Sequence, residues 1–85
     1  MNQHTKELIA IGASAAVNCR PCLEYHWSQG REAGVPVKEA LAAAEVGLMV
    51  NRGAAAKTKT YVSEVLTDES GQARTAQDDG CDCSC

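Results

Sequence analysis

Phenylalanine is absent from this sequence, and one tryptophan and two tyrosines are its only aromatic residues among 85 positions. A broad core filled by aromatic side chains is thereby excluded. The chain is 45% hydrophobic, but much of that fraction is alanine. A domain of this size buries a modest share of its surface and is marginally stable alone. Alanine-rich helices pack closely yet leave flat faces that call for a partner, so a homo-oligomer is expected. A basic surplus is also missing. The formal net charge of -3 gives no electrostatic footprint for nucleic acid, and Lys57 and Lys59 solvate a helix face rather than forming a patch. No apolar segment reaches the roughly 20 residues that span a bilayer. The run from Leu8 to Val17 has one lysine before it, abuts Glu7 and is followed by Asn18, which is not a small cleavage-site residue. It is therefore not read as a signal peptide, and a cytoplasmic location is expected.

Strand-like alternation occurs nowhere, and helical periodicity dominates. Leu8, Ile11 and Ala15, widened by Ile9 and Ala16, predict a first helix from about Gln3 to Val17. A second helix is expected from Asn18, as its N-cap, to Ala33, with Pro21 in the first turn and Gly34 as the stop. Val37, Leu41, Ala44 and Leu48 form the expected stripe of a third helix beginning near Pro36. Asn51 and Gly53 mark a break, after which a fourth helix runs from about Ala54 to Leu66 with Tyr61, Val62, Val65 and Leu66 on its apolar face. The fold class is all-α, a small helical bundle. From Thr67 onward the sequence is polar and aperiodic and reads as a flexible tail, which divides the chain into a helical domain (1–66) and a tail (67–85).

Against these scarcities stand five cysteines, an odd number in two tight groups. Close pairs staple little, because each closes only a short loop, so redox work or metal binding is the better reading. Cys19 and Cys22 lie three apart at the start of a helix, where the free N–H groups and the positive dipole end favour a thiolate. The thiolate is the nucleophile in disulfide exchange and in peroxide reduction. His26 follows Cys22 by four residues, on the same helix face, within reach of its proton. A base of this kind needs a group to orient it. Glu7 is the candidate, because Glu7, Ile11, Ser14 and Asn18 share one side of the first helix. Cys19, Cys22 and His26 also make three of the four ligands of a zinc site, the fourth having to come from the tail or another chain. Cys81, Cys83 and Cys85, at the end of the tail, suit either a thiol relay to the Cys19–Cys22 pair or the capture of a soft metal or metalloid ion.

Glu7, eleven residues, Cys19, two residues, Cys22, three residues and His26 compose the pattern E-x11-C-x2-C-x3-H. The chain thereby resembles the AhpD-like alkylhydroperoxidases of the carboxymuconolactone decarboxylase superfamily. Leu23-Glu24-Tyr25-His26 and Glu32-Ala33-Gly34-Val35 extend the resemblance, which covers roughly Lys6 to Leu66. It implies an all-helical subunit of a trimer, hexamer or related assembly. It further implies that Cys22 attacks, Cys19 resolves, His26 takes the Cys22 proton and Glu7 ends the relay. No cofactor is implied. The substrate would be a peroxide or a disulfide, and the electron donor a thiol reductant or a redox partner protein. Pro21 stands directly before Cys22, where some peroxidase members carry histidine, which favours dithiol–disulfide exchange over peroxide reduction. The lactone decarboxylases of the superfamily generally lack the cysteine pair, so decarboxylation is not expected.

Overall fold

A computed structural model describes residues 1–67 of the chain. Three helices are present among them: α1 (Gln3–Ala16), α2 (Arg20–Glu32) and α3 (Val37–Val65). The all-α expectation is met. Apart from Thr67, the tail, with Cys81, Cys83 and Cys85, lies outside the described residues. No described helix is long and apolar enough to cross a membrane.

The chain divides into two units at Ala54 and Ala55. The first unit holds α1, α2 and the start of α3. The Asn2 side chain caps α1 by accepting the Thr5 N–H at 2.8 Å, satisfying one of the orphan donors of the first turn. The core centres on Ile11, Val35 and Ala40, with Leu8, Leu23, Trp27, Ala43 and Ala44 packed around them. Ile11 is 1% exposed, a burial worth roughly 2–3 kcal/mol by transfer.

Helix α1 meets α3 through glycine. A side chain at Gly47 would fall on the carbonyl oxygen of Gly12 and within 3.1 Å of the Ala15 Cβ. One at Gly12 would lie 3.0 Å from the Ala43 carbonyl oxygen. The two backbones approach so closely that only small residues fit between them. This corrects the expected stripe of the third helix. Ala40, Ala43, Ala44 and Gly47 face inward, whereas Val37, Leu41 and Leu48 are exposed. Of that stripe, Ala44 alone packs against the core. On α1, Ile9 is likewise exposed rather than part of the core face.

The expected break at Asn51 and Gly53 is also corrected, because α3 runs through both. The Asn51 side-chain amide donates to the Ala16 carbonyl at 2.8 Å, so it caps a neighbouring helix instead of ending its own. Gly53 costs up to about 1 kcal/mol relative to alanine, which the helix-forming Ala54-Ala55-Ala56-Lys57 that follows can absorb. In the second unit the described residues are the remainder of α3 with Leu66 and Thr67. None of them is buried, and Tyr61, Val62, Val65 and Leu66 are all exposed.

Candidate active site

The turn between α1 and α2 builds the cysteine site. Asn18 adopts φ 58°, a left-handed conformation that asparagine tolerates better than most residues. Its N–H bonds the Ala15 carbonyl at 3.2 Å and the Cys19 N–H bonds the Ser14 carbonyl at 3.0 Å. This pair of bonds is the Schellman closure of a helix. Asn18 therefore ends α1 rather than capping α2, contrary to the sequence expectation. The cap of α2 is Cys19, whose sulfur accepts the Cys22 N–H at 3.3 Å. Pro21 sits in the first turn, where a missing N–H costs nothing. Gly34, at φ 86°, closes the other end of α2 with a second pair of bonds, Val35 N–H to Gly30 and Gly34 N–H to Arg31.

Cys19 and Cys22 are joined in a disulfide, with Cα atoms 5.2 Å apart. Cys22 is exposed and Cys19 half-buried, so an attacking thiol or its partner can be approached from solvent. In the bonded state neither sulfur is the thiolate that a zinc site uses. No group of three or more His, Cys, Asp or Glu side chains among the described residues is arranged to hold a metal ion.

Glu7 and His26 meet across the α1–α2 contact. Nδ1 of His26 lies 2.8 Å from Oε1 of Glu7. Glu7 is 3% exposed, and a carboxylate taken from water needs hydrogen-bond partners. It has two, because Nε2 of Gln3 donates to the second oxygen at 2.7 Å. Hydrogen bonding of an ionised Glu7 to Nδ1 places the ring proton there and leaves the Nε2 lone pair as the basic site of the imidazole. The His26 side chain is 31% exposed, so the imidazole is partly open to solvent. Cys22 is four residues earlier on α2, one turn along the same face.

Residues 1–62 match the carboxymuconolactone decarboxylase family. The chain belongs to that family. Comparison with curated proteins and with solved structures found no match. The match takes in α1, α2 and most of α3, and so includes Glu7, Cys19, Cys22 and His26. In the fold of this family member, the disulfide marks the start of α2 and the buried carboxylate on α1 meets the imidazole one turn further along. Of the four residues singled out in the sequence, the structure joins Cys19 to Cys22 and brings Glu7 to His26; Gln3, which also contacts Glu7, gives no sequence signal beyond its position four residues before Glu7 on the same helix face.

Proposed function

We propose that this chain is a thiol–disulfide oxidoreductase in which Cys22 attacks and Cys19 resolves. The observation that carries this reading is the Cys19–Cys22 disulfide at the first turn of α2, on the same helix as an imidazole whose Nδ1 is held by a buried carboxylate.

The cycle begins from the dithiol. His26 Nε2 accepts the Cys22 proton, and Glu7 stabilises the imidazolium that results. The Cys22 thiolate attacks one sulfur of a substrate disulfide, forming a mixed disulfide and expelling the other sulfur as a thiolate, which takes up a proton. Cys19, as its thiolate, then attacks the Cys22 sulfur, expelling the second substrate thiol and closing the Cys19–Cys22 bond. Two electrons and two protons pass from the protein to the substrate. With a hydroperoxide, the Cys22 thiolate instead attacks the terminal oxygen, releasing an alcohol and leaving a sulfenic acid. Cys19 converts that acid to the disulfide with loss of water. A thiol reductant or a partner protein restores the dithiol. A reducing compartment such as the cytoplasm suits a pair that must be reduced in every cycle.

We also read the subunit as part of a homo-oligomer, a trimer or hexamer. Leu41 and Leu48 are 59% and 42% exposed, and Val46, Met49 and Val50 are exposed beside them on α3. So much apolar surface on one helix is expected to be covered in an assembly.

The test is turnover of a model disulfide and of a hydroperoxide by the full chain. Cys22→Ser is expected to abolish both activities, whereas Cys19→Ser is expected to permit one attack and then trap a mixed disulfide that mass spectrometry detects on Cys22. Wild-type turnover by Cys22→Ser would overturn the reading.

A further inference from the structure

Both oxygens of the Glu7 carboxylate are engaged, and by different side chains. Oε1 faces His26 Nδ1 at 2.8 Å, and Oε2 accepts from Gln3 Nε2 at 2.7 Å. Gln3 is the first residue of α1, one turn before Glu7. The Gln3 amide holds Oε2 and thereby fixes the plane of the carboxylate that presents Oε1 to Nδ1.

We propose that Gln3 is a positioning residue for the thiol chemistry, fixing the Glu7 carboxylate and, through it, the His26 tautomer that leaves Nε2 able to take the Cys22 proton. The inference rests on the oxidoreductase reading above and deepens it. Without the Gln3 donor, the buried carboxylate is free to turn about its last torsion, Oε1 swings out of line with Nδ1, and the imidazole divides between a competent and an incompetent tautomer. Gln3 touches neither the sulfurs nor a substrate, so its influence runs entirely through Glu7.

The experiment uses the full-length reduced protein with Gln3→Leu, which removes the donor at similar volume, and Gln3→Arg, which restores a donor at that position. Long-range nitrogen–proton NMR reads the His26 tautomer, with the ring of His4, paired to Glu39, as an internal reference. Disulfide turnover is followed against pH in parallel. The wild type is expected to hold the proton on Nδ1. Gln3→Leu is expected to give mixed tautomers, turnover lower by on the order of tenfold, the worth of one hydrogen bond to a charged group, and a displaced pH–rate profile. Gln3→Arg is expected to recover the Nδ1–H tautomer, its added charge leaving the pH–rate profile displaced. Should Gln3→Leu fail to fold, Gln3→Asn, which keeps the amide but shortens its reach by one methylene, is expected to reproduce the loss. An unchanged Nδ1–H tautomer in the folded variant overturns the proposal, as does a changed tautomer with turnover and pH profile unmoved. Persistent turnover in Cys22→Ser would instead count against the oxidoreductase reading, whatever the tautomer does.

Discussion

Oε1 of Glu7 and Nδ1 of His26 lie 2.8 Å apart, joining a nearly sealed carboxylate on α1 to a partly exposed imidazole on α2 across 19 residues of sequence. A pair of this kind sets the ring's tautomer, and with it which nitrogen can act as a base. Glu7→Gln keeps the volume and can still accept from Nδ1, but it removes the charge that stabilises an imidazolium. Disulfide turnover is expected to fall by on the order of 10²-fold, with the helical circular-dichroism signal retained. Steady-state kinetics beside far-ultraviolet circular dichroism checks both halves of this expectation.

The glycines of the α1–α3 crossing give a ranked stability prediction. Gly47→Ala drives a methyl into the Gly12 carbonyl and is expected to cost about 3 kcal/mol or more, at the top of the overpacking range. Gly12→Ala meets Ala43 at 3.0 Å and is expected to cost about 1–2 kcal/mol. Gly53→Ala meets nothing within 4 Å, lies inside a helix, and is expected to stabilise by about 0.5–1 kcal/mol. Urea denaturation of the three variants gives the order directly, and a Gly47→Ala protein as stable as the wild type would contradict the packing described.

The fold class and the Cys19, Cys22 and His26 spacing were legible in the sequence because both are local. Helical periodicity shows in short windows, and the cysteines and histidine fall within eight consecutive residues. The inward face of α3 was not legible. Ranking positions by hydrophobicity selects Val37, Leu41 and Leu48, but the crossing at Gly12 and Gly47 admits only small side chains, so steric fit overrode apolar size. Propensity makes Asn51 a breaker, yet its side chain is engaged with Ala16, a tertiary contact that no window on α3 contains. Asn18 and Cys19 exchanged their expected roles because the Schellman closure of α1 sets where α2 begins. A cap read from residue type alone does not include the preceding helix.

The exposed apolar residues of α3 carry the prediction on assembly. Sedimentation velocity at micromolar concentration is expected to give a species of three or more chains. Leu41→Ser combined with Leu48→Ser is expected to shift it toward the single chain while helicity persists. A wild-type protein that sediments as one chain would remove the homo-oligomer from the account.

The central claim is that the sulfur of Cys22, in the first turn of α2, is activated as a thiolate with the Glu7–His26 pair managing its proton. Alkylation of the reduced protein as a function of pH, resolved cysteine by cysteine through peptide mass spectrometry, tests it most directly. The account predicts that Cys22 reacts well to the acid side of a free cysteine, and that His26→Ala moves its profile back toward that of a free thiol. A Cys22 profile that coincides with free cysteine, unaltered by His26→Ala, would contradict it.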